Sequence, residues 1–295
     1  MANSGLRGNH TALLTPFNAD GSVDYGAFRS LIEWQIECGV DGIVPLGTTG
    51  EAPTLRAEEV RKIVEVSVET ARGRVKVIPG TGSNATWVAV EQTKHAIECG
   101  VDATLQVTPY YNQPAPAGLV AHFKTLADLG GKVVLYTSPG RVGLELPPEV
   151  MIECAKHPNI VAIKYSHDTM DPISRVRVES DIDFLCGDEL VLLGQLGMGA
   201  VGLIGAIANV IPREMNEIVN HALENRWDEA RAMFFRYHPL MKILYKRPET
   251  NPAPPKAALA AMGRMGPFVR LPIAELLPET HALLMKELRR YELID

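Results

Sequence analysis

Ile36-Glu37-Cys38-Gly39-Val40-Asp41 returns 61 residues later as Ile97-Glu98-Cys99-Gly100-Val101-Asp102. In each copy a helical pattern runs into a glycine, the residue that takes a left-handed turn at a helix end without steric cost. An apolar run then follows: Gly42-Ile43-Val44-Pro45-Leu46 in the first copy, Ala103-Thr104-Leu105-Gln106-Val107 in the second. One helix-to-strand unit is used twice, with another unit between. Outward from this pair, short apolar runs predict strands at 12–14, 43–46, 75–79, 103–107, 133–136, 160–164, 184–186 and 201–204. They are nearly continuous rather than alternating, as parallel strands covered on both faces require. Amphipathic stretches lie between them, such as 58–70 and 87–99. Pro147-Pro148 and Pro212 suit first helical turns, where a missing N–H costs nothing. Strands and helices alternating eight times predict an α/β fold, a closed (β/α)8 barrel over 1–225. Beyond it, 227–245 and 278–291 read as helices with no strand between, a C-terminal helical region over 226–295.

Composition narrows the function classes. The 295 residues carry 29 basic and 35 acidic side chains, a net charge of −6. A nucleic-acid surface needs clustered Lys and Arg and is not expected. Four cysteines lie far apart with no CxxC pair, which points away from a disulfide scaffold or zinc ribbon and toward a reducing, cytoplasmic setting. No basic-then-apolar secretory signal is read in the first 17 residues. The uncharged stretch 190–211 is long enough to span a bilayer, but its five glycines and lack of aromatic anchors argue for a helix, a break at Gly199 and a strand.

In such barrels the reactive groups stand where strands end and the next loops begin. That filter selects Thr15-Pro16, Gly47-Thr48-Thr49-Gly50-Glu51, Gly80-Thr81-Gly82-Ser83, Thr108-Pro109-Tyr110-Tyr111, Tyr136-Thr137-Ser138, Lys164-Tyr165, Gly187-Asp188-Glu189 and Ile204-Gly205. The set is rich in hydroxyls and glycines and holds one lysine. Lys164 ends the apolar run Ile160-Val161-Ala162-Ile163. Desolvation disfavours a lysine's charged form, and a neutral amine can attack a ketone to form an imine. The other readings are a lysine paired with a buried carboxylate, or one turned outward. Lys76 and Lys132 fall at the opening ends of their strands, the face that serves stability. The Gly47–Glu51 loop offers backbone N–H groups for a carboxylate, or is a plain capped turn. Tyr110, Tyr111 and Tyr136 offer phenols for proton transfer or simply fill the barrel top. Arg141 can fork onto a second carboxylate or sit as a solvated loop charge. Gly197-Met198-Gly199-Ala200-Val201-Gly202 fits a dinucleotide fingerprint literally, yet its helix-then-strand order is reversed, so no dinucleotide is expected. His167-Asp168 reads as a helix-entry pair.

Taken together, these residues resemble the dihydrodipicolinate synthase / N-acetylneuraminate lyase family of pyruvate-using class I aldolases. The resemblance runs from Thr15-Pro16-Phe17 to Asn251-Pro252-Ala253-Pro254-Pro255-Lys256. It implies that Lys164 forms a Schiff base with pyruvate, and that the N–H groups of Thr48 and Thr49, with the Thr49 hydroxyl, hold the pyruvate carboxylate. It implies that Tyr136 relays protons and that Thr48 and Tyr111 extend the relay, Tyr111 from a neighbouring subunit. Gly187 and Ile204 are implied as pocket lining, and the assembly as a homotetramer of tight dimers. Neither metal nor organic cofactor is implied. Tyr110-Tyr111-Asn112 and Arg141 resemble the synthase branch, in which the arginine binds the carboxylate of L-aspartate 4-semialdehyde, the small aldehyde partner of pyruvate.

Two runs depart from the synthase pattern. After the lysine the synthases commonly read Glu-Ala-Thr, where this chain has Tyr165-Ser166-His167. After the tyrosine they commonly read Asn-Val-Pro, where this chain has Thr137-Ser138-Pro139. Tyr165 and His167 are expected to place bulk and a titratable ring at the mouth, which leaves a 2-keto-3-deoxy sugar acid aldolase or dehydratase as the alternative. A silent barrel that binds a keto acid is the third reading. Lysine-inhibited members carry polar groups at positions matching Ala57, Val60 and Val88, so weak or absent lysine inhibition is expected.

Overall fold

The computed structural model describes residues 4–245 and 248–295. Eight short strands form one parallel sheet: β1 (Gly8–Ala12), β2 (Gly42–Val44), β3 (Lys76–Val77), β4 (Thr104–Val107), β5 (Val133–Thr137), β6 (Ile160–Tyr165), β7 (Asp183–Cys186) and β8 (Gly202–Gly205). Their order is β3-β2-β1-β8-β7-β6-β5-β4. The ring closes just past β3, where Leu105 N donates to Pro79 O at 2.9 Å and Thr81 N to Leu105 O at 3.1 Å. The fold is the (β/α)8 barrel that the alternating pattern predicts.

Helices cover the ring in chain order: α1 (Tyr25–Glu37), α2 (Ala57–Ala71), α3 (Thr86–Glu98), α4 (Pro116–Ala127), α5 (Pro139–Val142), α6 (Pro148–Ala155), α7 (Asp171–Glu179), α8 (Leu192–Gly197) and α9 (Pro212–Leu223). The repeated glycines Gly39 and Gly100 both have φ of 82°, and they end α1 and α3 alike. Inward side chains such as Ala12, Val44, Leu105, Val134, Ala162 and Ile204 pack as one cluster inside the barrel. The opposite faces of the strands pack under the helices, as the near-continuous apolar runs demand.

Two differences from the sequence reading have physical causes. The first strand lies at Gly8–Ala12 rather than 12–14, because Asn9, His10 and Thr11 are polar yet buried. Thr11 Oγ1 donates to Gln35 Oε1 at 2.6 Å and His10 Nε2 meets Leu6 O at 2.8 Å, which partners those two groups inside, while the Asn9 amide and His10 Nδ1 have no partner among the described residues. Beyond α9 come three helices rather than two: α10 (Trp227–Leu244), α11 (Ala253–Ala261) and α12 (Pro278–Arg290). The sequence reading assigns no helix to the Pro254-Pro255 stretch, and these prolines occupy the tolerated first turn of α11. Phe234, Leu240 and Leu288 from this region join the same apolar cluster as Ile207 and Met215 beside the barrel.

His122 on α4 is buried, and its Nδ1 meets Thr86 Oγ1 at 2.9 Å while Nε2 has no partner among the described residues. Burial pushes its pKa down to about 4. The unfolded chain takes this proton near pH 6.5 and the folded chain only near 4, so stability is full above about 6.5 and falls as pH drops toward 4. His122→Gln should remove a share of acid sensitivity worth about 3 kcal/mol, read as the difference between denaturant midpoints of variant and wild type at pH 7 and pH 4.5.

Candidate active site

Alternation along β5 and β6 decides what faces the barrel axis. Tyr136 pairs with Lys164 and Thr137 with Tyr165. Ala162 points inward, so Lys164 two residues later does as well. It is 6% exposed, and its Nζ lies 4.2 Å from the centre of the Tyr136 ring. Lys76 and Lys132 stand at the other end, engaged with Asp102 Oδ1 at 2.9 Å and Ser4 O at 3.0 Å. Gly187 follows β7 against Lys164; a side chain there would strike the lysine's Cγ and Cε and the Ser166 hydroxyl. Ile204 on β8 is fully buried in the cluster that includes Tyr136.

Tyr165 corrects one expectation. It projects away from the axis, is 1% exposed and packs edge-on against Phe184, while its hydroxyl meets Thr169 Oγ1 at 3.1 Å. The bulk expected at the mouth is therefore stored under the helices. His167 accepts the Thr169 N–H at 3.1 Å on Nδ1, within the turn leading to α7.

Burial pushes the Tyr136 phenol up, but the neighbouring Lys164 ammonium, the Ser138 hydroxyl, Arg141 and the Ser166 hydroxyl outweigh it and leave the group below its ordinary value. A phenol so held can lose and regain a proton beside an amine.

The loop after β2 supplies a second element. Gly50 N donates to Gly47 O at 3.1 Å and Glu51 N to Thr48 O at 3.1 Å. No acceptor among the described residues takes the N–H of Thr48 or Thr49, so both remain available to an anion. Leu46 and Glu51 flank this loop with φ of 61° and 54°, left-handed values that non-glycine residues adopt only when held. The C-terminal region holds them. Asn251 Nδ2 donates to Thr49 Oγ1 at 2.8 Å. Lys256 Nζ pairs with Glu51 Oε1 at 2.5 Å, donates to Phe268 O at 2.8 Å and lies 3.9 Å from the Phe17 ring centre. Arg270 N donates to Glu51 Oε2 at 3.0 Å.

Tyr136, whose ring carries the Lys164 amine on it, also walls a cavity of about 440 Å³ together with Thr48, Gly80, Tyr110, Ser138, Arg141 and apolar Val60 and Val88; Lys164 itself does not line it. Arg141 on α5 is exposed, with no ion-pair partner among the described residues. Tyr111 turns away from its own chain at 90% exposure, with a left-handed φ of 73°. No cluster of three or more His, Cys, Asp or Glu among the described residues could hold a metal ion.

A profile of the Dihydrodipicolinate synthetase family matches residues 5–290. The chain belongs to that family. A 4-hydroxy-tetrahydrodipicolinate synthase from Koribacter versatilis is 44% identical over 95% of this chain and 94% of its own length. The crystal structure of dihydrodipicolinate synthase from Aquifex aeolicus superposes with a TM-score of 0.95 at 41% identity, covering 98% of this chain and 99% of that one. The synthase from Cyanidioschyzon merolae, solved with lysine bound, gives 0.93 at 34% identity over 98% and 99%.

The strand-end filter selects Lys164, Tyr136 and the Gly47–Glu51 loop, which the structure places at one end of the barrel with Arg141 nearby, and it does not reach the loop's fastening. The Asn251–Lys256 stretch stood out as a motif, but nothing in a linear sequence shows that it meets residues 49 and 51. Burial lowers the Lys256 pKa to about 8, against the upward pull of Glu51. Removing one partner of such a pair leaves an uncompensated buried charge. Lys256→Met should destabilise the fold by about 3–5 kcal/mol, measured by denaturant unfolding at pH 7.

Proposed function

We propose that this protein is a 4-hydroxy-tetrahydrodipicolinate synthase, a lyase that condenses pyruvate with L-aspartate 4-semialdehyde through a Schiff base on Lys164. The observation that supports the reading is a buried amine packed on Tyr136, whose ring shares a cavity wall with two anion anchors, the Thr48 turn and Arg141. The Thr48 and Thr49 N–H groups, with the Thr49 hydroxyl held by Asn251, suit the pyruvate carboxylate. Arg141, unpaired at the cavity rim, suits the carboxylate of the second substrate. A keto-sugar acid brings one carboxylate and would leave one anchor empty.

The neutral Lys164 amine adds to the pyruvate ketone to give a carbinolamine. Its C–O bond breaks as C=N forms, and the hydroxyl leaves as water with the Tyr136 proton. The Tyr136 phenolate then takes a proton from the imine's methyl carbon, giving the enamine and restoring the phenol. The enamine carbon attacks the aldehyde carbon, whose oxygen takes a proton to become a hydroxyl; the semialdehyde's own amino group then adds to the C=N carbon and displaces the Lys164 amine, which closes the product ring. Thr48 lies on the same wall to pass protons outward. Gly187 keeps room for the lysine stem, and Ile204 closes the floor with apolar surface.

Tyr110, Tyr111 and the 68%-exposed Trp87 on α3 are exposed, and Asn112 Nδ2 donating to Asn84 O at 2.8 Å joins the tyrosine loop to the segment that precedes α3. A second copy packed on these residues would bring its own Tyr111 toward the relay, the arrangement of a tight dimer within a homotetramer. Four free cysteines, three of them buried, suit a reducing cytoplasm.

Borohydride reduction with pyruvate should leave a covalent adduct on Lys164 that Lys164→Ala abolishes, read by peptide mass. In the same preparation pyruvate and aspartate semialdehyde should be consumed together; turnover of 2-keto-3-deoxy sugar acids alone would overturn the substrate assignment. Added L-lysine should leave the rate unchanged, because Val60 and Val88 offer its charged ends no partner. Sedimentation of the wild type should give a tetramer, and Trp87→Glu, which puts a charge in place of an exposed aromatic ring, should lower the assembly state.

A further inference from the structure

Alternation sets Ser138 two residues past Tyr136 and Ser166 two residues past Lys164, so both face the axis one layer above the amine and the phenol. The two backbones are tied there by Ser166 N donating to Thr137 O at 3.0 Å. Ser138 is 7% exposed and lines the cavity. Ser166 Oγ donates to Gly187 O at 2.9 Å, which fixes its oxygen beside the lysine stem. Both serine hydroxyls are among the groups that draw the Tyr136 phenol downward, alongside Lys164 and Arg141. The two departures from the synthase runs thus meet at one phenol.

We propose that Ser138 and Ser166 are positioning residues for Tyr136: together they hold its hydroxyl over the Lys164 amine and stabilise the phenolate left when its proton leaves with the carbinolamine oxygen. The proposal rests on the imine chemistry above. While Tyr136 is neutral, the fixed Ser166 oxygen accepts its proton. Once that proton has gone, the Ser166 hydroxyl turns from the Gly187 carbonyl to the phenolate, and Ser138 donates beside it. No atom is exchanged with the serines, so the phenolate stays the base that takes the methyl proton. This support comes from within one chain, whereas Tyr111 must come from another.

The titratable and charged groups acting on Tyr136 are Lys164, on the neighbouring β6, and Arg141, two turns of chain beyond it, and both are retained in the variants. The test uses the full-length protein with Ser138→Ala, Ser166→Ala and the double change. Rates of imine formation with pyruvate, trapped by borohydride, are followed against pH. The tyrosinate absorbance that Tyr136→Phe removes is titrated in parallel. The double variant should still form the Lys164 adduct. Its alkaline limb and the Tyr136 titration should both move up by about one pH unit or more, since hydrogen bonds to a charged group are worth roughly that. Its kcat should fall about 10-fold with KM for pyruvate changed less than about 3-fold, the pattern of a lost transition-state interaction. Ser166→Thr, which keeps the hydroxyl, should restore the limb. An adduct formed with the limb and titration unmoved would overturn the proposal alone. No adduct in the wild type would overturn it together with the imine reading.

Discussion

A buried ion pair between the loop after β2 and the C-terminal region underlies the site's shape. Glu51 and Lys256 are fully withdrawn from water and more than 200 residues apart, with 2.5 Å between Nζ and Oε1. Two such charges are tolerated only when their remaining hydrogen-bonding capacity is met. Phe268 O, the Phe17 ring and Arg270 N meet it here. The return is geometric. Glu51 is fixed at a left-handed φ, so the turn before it keeps the Thr48 and Thr49 N–H groups turned outward. Asn251 fastens the Thr49 hydroxyl from the same direction. The helical region after α9 therefore helps to set the shape of this loop.

A second constraint is the strict two-residue alternation of the strands. It makes Lys164 an inward residue because Ala162 is one, and it turns Tyr165 into the helical layer. The same rule brings Ser138 and Ser166 onto the axis. A shift of one residue on β6 would put the lysine under the helices and a tyrosine in the cup. Registers with both β5 and β7 exclude that shift, with Tyr136 opposite Lys164 and Lys164 opposite Leu185.

The ring of eight strands was legible because parallel strands buried on both faces write themselves as apolar runs. The echo at Gly39 and Gly100 added the helix ends. Legibility failed where polar side chains are buried in a strand, as at Asn9-His10-Thr11, and where prolines open a helix, as in α11. At the site, residues lying just past strand ends were readable from position alone: Lys164, Tyr136, Thr48, Thr49 and Arg141. The fastening of the loop by residues 251, 256 and 270 was not, since its information lies in distance between segments rather than in local pattern. Tyr165 was misjudged for a related reason. Its neighbour the lysine drew attention to the mouth, while alternation assigns adjacent residues to opposite faces.

Divergence within this family of barrels follows from the same geometry. Positions one past the lysine and one past the tyrosine face the helices, so they answer to packing; Tyr165 fills space against Phe184 that a smaller partner would leave open. Positions two past each face the phenol, so they answer to proton chemistry. Exchanging apolar for hydroxyl side chains there adds donors around an oxygen already pulled down by Lys164 and Arg141. Donors fixed before the reaction stabilise developing charge more effectively than water that must reorganise. A phenol supported in this way depends less on any hydroxyl supplied by another copy.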